Sequence, residues 1–456
     1  GAGSMLSVFS KLGSQWIFKQ TGASGFESMA SSLASQIVNW LKLTQRIPEE
    51  RTAEPDRHTA LKLSSAYFED TEMSFGILHQ PSFELRLRQS FDRPSSSHAD
   101  PGWYALRNTV YAGGQRKMLK DAGNVDFNGV HSSAFPYFAN ALTVHTEMIY
   151  YKSSMTAVQA LAAMAIDDDS ITCPLPEVLG SGKENRVEYF NHLIRLTQIL
   201  SAVLKFVMRL ETRGIAPDKV FRRVQHLNAQ LRTWAESAPP TCRPDPLRKS
   251  SLPPSVPINL ILYVRYTYHG AVIALNSCFT YPWLTERVKY REDSRFQKQI
   301  DESTALVAEM ARLTIKDTKH IDIDFTSPVW LVFYYPLVGL LHLFVHIIKS
   351  PRAPTVQYDL ALLEDICGHF ARLKYTTSSA LSFPHLKELC RFAERTVESI
   401  SSTDDAHQAM NGHAGTMPSG SSNLGYGIPG NPPEGDDETL ANSLTDFSEV
   451  TKHLFD

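Results

Sequence analysis

The chain has 456 residues, 43% hydrophobic and 20% charged, with a formal net charge of −3. That is ordinary globular composition with room for a large core, in one body or two subdomains, and the charge is too small and dispersed for a nucleic-acid footprint. The five cysteines, Cys173, Cys242, Cys278, Cys367 and Cys390, are odd in number and widely spaced, which fits reduced thiols in cytosol or nucleus and excludes a zinc site of paired Cys-x-x-Cys type.

In chain order, Gly1 to Ser4 read as a cloning remnant. No signal peptide is expected next, since Lys11, Ser14 and Gln15 interrupt the apolar run. Met29, Leu33, Ile37 and Leu41 recur every four residues and predict an amphipathic helix. Residues 47–58 read as a connection, and 61–68 resume a helix. Pro81 is expected to end one helix and Ser82 to cap the next, over 83–91. A short helix over 104–112 is expected to stop at Gly113-Gly114. Residues 137–151 and 156–165 predict a helix pair, and the prolines of 166–176 impose a turn. The cleanest amphipathic pattern is 188–210, where Phe190, Leu193, Leu196, Leu200, Val203, Val207 and Leu210 share a face. Further helices are predicted over 220–235, 258–278, 299–313, 358–373 and 386–400, with a proline-rich loop at 239–257.

Residues 329–348 form an apolar stretch without formal charge, long enough to cross a bilayer. Pro336, Gly339, His342 and His346 argue instead for a buried core helix. A rod apolar on all sides needs partners all round, so a shell of amphipathic helices is expected around it. Strand patterns are scarce; only 320–325 alternates. The expected fold is all-α, a multi-helix bundle or solenoid-like body with a flexible acidic C-terminal tail.

Residues 401–456 carry nine acidic residues and one lysine, hence −8, which leaves +5 for the rest. Residues 410–435 are rich in Gly, Ser, Pro and Asn and are expected to be disordered. Beyond them Leu440, Leu444, Phe447, Val450 and Leu454, with Phe455, would form the apolar face of a short acidic helix, a docking element for a partner groove or for its own domain.

Several blocks, in this order, resemble the regulatory middle homology domain of fungal transcription factors that carry a zinc binuclear-cluster DNA-binding domain. Tyr67-Phe68 followed by 75–83 is similar to the opening motif, with Gly76 in place of its usual proline. Residues 137–161 resemble its next helix pair. Residues 165–176, with Asp167, Asp168 and Asp169, resemble its acidic turn and closing Pro-x-Pro. Residues 227–239, Tyr268-His269 and 333–351 continue the likeness, which runs from about 60 to 373. Two departures stand out. The helices that the family places between the Gln159-Ala160-Leu161 helix and the acidic turn are missing, and no segment has the cysteine spacing of the zinc cluster.

The resemblance implies a nuclear regulatory chain that senses an effector and activates transcription, with DNA contacted only through an upstream domain. It implies zinc only in that domain, and no cofactor in this chain. Its expected partners are a coactivator or repressor protein, a small-molecule effector and a second copy of the chain, but no membrane. The expected organisation is an N-terminal helical segment and linker (1–59), the helical regulatory domain (60–400), a disordered linker (401–433) and an acidic activation segment (434–456).

Candidate sites are few. His342 and His346 have metal-ligand spacing but no third ligand, so hydrogen-bonded core histidines are expected. Asp167–Asp169 read as helix-capping or paired acids. His320, Asp322 and Asp324 read as exposed loop polarity. The glycine pattern at 425–430 follows no strand and opens no helix. The aromatic cluster of Trp330, Phe333, Tyr334, Tyr335, His342 and Phe344 reads most simply as core; the alternative is an aromatic cavity with polar handles, for which Trp330, Phe333, Tyr334, His342, His346 and His79 are the candidate ligand-binding residues. The competing readings are a ligand-free helical scaffold for protein interaction and an enzyme on a helical fold, for which no catalytic constellation is visible.

Overall fold

The computed structural model describes residues 7–22, 25–40, 50–69, 78–92, 100–123, 127–150, 154, 156–157, 159–160, 184–212, 216–248, 252–253, 256–284, 296–324, 327–379, 381–383 and 385–412. Among them every regular element is a helix. Asp167–Asp169 and the tail residues Leu440, Leu444, Phe447, Val450, Leu454 and Phe455 lie outside the described residues.

The helices are α1 (Lys11–Thr21), α2 (Phe26–Trp40), α3 (Arg57–Glu69), α4 (Gln80–Asp92), α5 (Pro101–Ala122), α6 (Phe127–Leu142) and α7 (His145–Tyr150). They continue with α8 (Glu184–Thr212), α9 (Pro217–Ser237), α10 (Ile258–Thr280), α11 (Gln297–Asp317), α12 (Tyr335–Lys349), α13 (Val356–Thr376) and α14 (Leu386–Gly412). Capping chemistry sets several ends. Ser10 accepts from the Gly13 amide at 3.2 Å to open α1, and Gly22, at φ 66°, closes it in the left-handed region. Asp100 accepts from Gly102 at 3.0 Å, with Pro101 in the first turn of α5.

Four boundaries differ from the sequence expectation. Gly113-Gly114 do not stop α5, which runs on to Ala122. These glycines serve packing: a Cβ on Gly114 would lie 1.9 Å from the Leu63 carbonyl oxygen, and one on Gly113 would lie 2.6 Å from the Tyr67 ring. Only bare backbone lets α3 cross α5 this closely. Pro81 does not end a helix but sits in the first turn of α4, where its missing N–H costs nothing. The helix expected over 137–151 is broken at Thr143-Val144 into α6 and α7. α14 passes residue 400 and reaches Gly412.

Two hydrophobic cores result. The smaller joins α3 to α7 around Leu63, Tyr67, Trp103, Val110 and Tyr111. The larger joins α8 to α14 and also takes in Val8, Phe9, Ile17, Phe26, Met29 and Leu33 from the N-terminal segment. Lys120 and Asp324, 2.6 Å apart, form an ion pair between the two groups of helices.

The apolar rod forms as expected, and 83% of the window Trp330–Lys349 is buried inside the protein. It is the single described helix long and apolar enough to cross a membrane. α10, α11, α13, α14 and α1 pack around it. Its first turn, Trp330–Tyr334, is wound as a π-helix. Pro336 follows at once and has no N–H to offer the Val332 carbonyl four residues earlier. His369 of α13 donates to that carbonyl, Nε2 to Val332 O at 2.7 Å.

Candidate functional site

The six candidate ligand residues do not converge. Trp330 is half-buried and packs edge-on against Tyr263 of α10, centroids 4.5 Å apart. Phe333 faces away from it, towards Phe370 of α13 at 5.5 Å. His346 lies 3.9 Å from Asp359, beside Arg312. His79 is exposed, with Nδ1 2.8 Å from the Ser82 hydroxyl, outside the larger core. Tyr334 and His342 remain, and both approach Tyr281, which lies just past the end of α10.

Tyr281 and His342 are the polar centre of this region. The Val338 carbonyl, 2.8 Å from His342 Nδ1, can only accept, so Nδ1 carries the proton. Nε2 is then a lone pair, and the Tyr281 hydroxyl donates to it at 2.5 Å. Burial lowers the His342 pKa to about 4, against the pull of the Val338 bond. Burial likewise holds the Tyr281 hydroxyl well above its usual range, opposed by the hydroxyls of Ser277 and Ser7. The pair is therefore neutral around pH 7, with both ring nitrogens of His342 hydrogen-bonded. Burial also raises the Tyr334 hydroxyl well above its usual range, although part of the residue's surface remains exposed.

Aromatic rings enclose this centre. Trp283 stacks on Tyr281 at 4.6 Å, and Trp16 of α1 lies against Trp283 at 5.6 Å. Phe9 stacks on Phe26 at 5.7 Å, and Phe26 lies over Phe344 of α12 at 6.2 Å. The N-terminal segment thus covers this end of the central helix. Trp283 Nε1 is buried and finds no acceptor among the described residues.

The expected loop polarity at 320–324 is only partly seen. Asp322 is exposed, Asp324 pairs with Lys120, but His320 is buried with Nε2 3.2 Å from the Leu247 carbonyl. Among the described residues no three His, Cys, Asp or Glu side chains gather as a metal site.

Sequence reasoning missed three buried polar hubs. Arg265 of α10 makes a two-pronged ion pair with Asp317 at the end of α11, at 2.6 and 3.2 Å. Its other N–H groups reach the carbonyls of Thr241, Arg243 and Asp245, and so fasten the proline-rich loop to the core. Burial pushes the Asp317 carboxyl up and Arg265 opposes it. Arg312 similarly grips Asp359 of α13 at 2.7 and 3.0 Å. In the smaller core, Arg107 holds Glu54 at 2.7 and 2.8 Å, while Asn108 and Asn140 tie Glu54 and Thr52 to α5 and α6. An arginine inside an otherwise apolar helix, as in 258–278, was the available signal for the first of these.

Compared with known proteins, the chain is 22% identical over 493 aligned positions to an "ABC-transporter-regulating transcription factor" of Aspergillus oryzae, covering 88% of this chain and 54% of that protein. It is 21% identical over 487 positions to a protein of the same name from Aspergillus fumigatus, again over 88% and 54%. The chain spans about half the length of these curated relatives. Since 88% of 456 residues is about 401, the 493-position alignment steps over some 92 positions where the Aspergillus oryzae protein has residues and this chain has none. No family model matches the chain, and no solved structure matches it significantly.

Proposed function

We propose that this chain acts in transcription regulation, as the effector-sensing and activating portion of a fungal transcription factor whose targets include transporter genes. The observation that carries this reading is likeness along 88% of the chain to two fungal proteins named as transcription factors. Those proteins are nearly twice as long, which leaves room for a DNA-reading domain outside this chain. The skipped positions are numerous enough to hold the internal segment that the middle homology resemblance finds missing. The chain would then work in the nucleus, with a coactivator or repressor protein as partner.

In this reading the effector enters beside Tyr281, Trp283 and His342, beneath the N-terminal helices. A ligand that binds one state better than another shifts their populations by that difference. The segment 434–456 is the activating element, on the strength of its acidic amphipathic pattern alone. Deleting residues 440–456 should abolish activation of a reporter when the chain is fused to a heterologous DNA-binding module; full activation by the truncated fusion rejects this role. A thermal-shift screen of small apolar compounds carrying one acceptor tests the effector. A hit should raise the melting temperature in the native chain and lose its effect in Trp283→Phe. A uniform absence of hits would favour the ligand-free scaffold.

A further inference from the structure

The thiols of Cys367 on α13 and Cys390 on α14 lie 3.2 Å apart, sulfur to sulfur. A disulfide needs about 2.0 Å between sulfurs, so only a small movement of the side chains separates contact from bond. The two cysteines differ in setting. Cys367 is half-buried and reachable by a small oxidant, whereas Cys390 is buried against the Leu363 carbonyl, 3.6 Å away. The contact with Cys390 pulls the Cys367 thiol below its usual pKa, which favours the thiolate there. The other described cysteines contrast with this pair. Cys242 and Cys278 are buried singly, and burial pushes each thiol up to about 12, which keeps it protonated and inert.

We propose that Cys367 and Cys390 are a peroxide-oxidisable dithiol, Cys367 the attacking sulfur and Cys390 the resolving one. The Cys367 thiolate attacks one oxygen of hydrogen peroxide. The O–O bond breaks, hydroxide leaves and takes a proton as water, and Cys367 becomes a sulfenic acid. The Cys390 thiol gives up its proton and attacks the Cys367 sulfur. The S–O bond breaks, a second water leaves, and the S–S bond forms. Two electrons pass from the sulfurs to the peroxide, and one peroxide is consumed per bond.

The position gives the bond a consequence. α13 and α14 both pack on the central helix, and α14 is the last described element before the acidic segment. A bridge between them closes the 23-residue separation around the turn at Ser378-Ser379, both of which have positive φ. It staples α14 to the body and limits its fraying.

The test uses the whole chain, reduced and then exposed to hydrogen peroxide. The intact mass should fall by two hydrogens, peptide mapping should give a Cys367–Cys390 cross-linked peptide, and the melting temperature should rise by a few degrees and return on thiol reduction. In Cys390→Ser a dimedone adduct should accumulate on Cys367; in Cys367→Ser no adduct should form on Cys390 at the same dose. Free thiols at both positions after peroxide, over-oxidation of Cys367 without a cross-link, or a bond from either cysteine to a third one would overturn the proposal. Because the cross-link is read in the unmodified chain, a variant that fails to fold leaves the result standing.

Discussion

The two cores solve the same problem with different means. In the larger core a nearly uncharged rod is surrounded on all sides, and its polar groups are neutral and paired in place: His342 with Tyr281 and Val338, His369 with Val332. Charged pairs enter this core as Arg265 with Asp317 and Arg312 with Asp359. The smaller core lacks such a rod. It relies on glycines that let α3 and α5 touch, and on a non-helical strap, Thr52 to Glu54, that Arg107 and Asn140 hold against the helices. Both cores tie in a non-helical segment, the larger through Arg265 and the smaller through Arg107, but the Arg265 pair is closed off from water and the Glu54 strap is not, and that should show in how each one breaks.

The largest contrast lies in the ion pairs. Arg265 and Asp317 are 1% and 2% exposed, while Glu54, the partner of Arg107, is 26% exposed. Asp317→Ala strands a guanidinium that no water reaches, and should cost about 3–5 kcal/mol. Glu54→Ala leaves Arg107 able to recruit water through the vacated strap, and should cost about 1–3 kcal/mol. Urea denaturation followed by circular dichroism measures both. Equal losses would mean that Asp317 is less enclosed than its surroundings imply. The double change Arg265→Met with Asp317→Leu should recover much of the loss, because it removes both charges together.

Acid provides the next contrast. Burial lowers both His342 and His369 from 6.5 to about 4 in the folded chain. A group with a depressed folded pKa takes its proton more readily when unfolded. Its contribution is therefore complete above pH 6.5 and is lost as the pH falls towards 4. The drop corresponds to roughly 3 kcal/mol for each histidine. Both sit in the larger core, so hydrogen exchange at pH 5 should accelerate in α12 and α13 before it does in α3 and α5. His342→Gln should flatten part of the pH dependence between 6.5 and 4. A stability curve with the same slope in the variant would remove His342 from this account.

Gly114→Ala acts on the other side of the comparison. The new methyl would meet the Leu63 backbone oxygen at 1.9 Å, and backbone cannot swing away as a flexible side chain does. α3 must back off from α5, at about 1–3 kcal/mol. Protection should be lost in α3 and α5 while α10 to α12 keep theirs.

How far the sequence foretold this structure depends on the kind of force involved. The rod at 329–348 and the amphipathic helices at 188–210 and 220–235 were legible because apolar periodicity is local. Gly113-Gly114 misled, because a glycine pair reads as a stop unless the crossing helix is known. His342 was legible as a core histidine, but the partner that fixes its tautomer, Tyr281, lies 61 residues away. Phe333 shares the rod with His342 yet packs on Phe370 instead, as nine residues at about 3.6 per turn place the two on opposite faces. The helix pair Cys367–Cys390 and the Arg265 hub depend on contacts 23 and 52 residues apart, beyond the reach of any local pattern.

The smallest expected effect is the most informative about the site. Tyr281→Phe keeps the ring stacked on Trp283 and removes only the hydroxyl. His342 Nδ1 still donates to Val338, but Nε2 becomes a buried acceptor with nothing to accept from. The loss should be about 1–2 kcal/mol, the cost of one stranded neutral group. The smaller core offers a control: among the described residues Trp103 also has a buried indole N–H without an acceptor, but Arg86 lies over its ring at 4.6 Å. An effector that docks on the Trp283 side should bind the Tyr281→Phe chain differently from the native one, and bind Trp103→Phe no differently. If calorimetry finds both variants equally altered, the ligand does not sit under the N-terminal helices, and the neutral Tyr281–His342 pair is simply how a greasy rod carries a histidine.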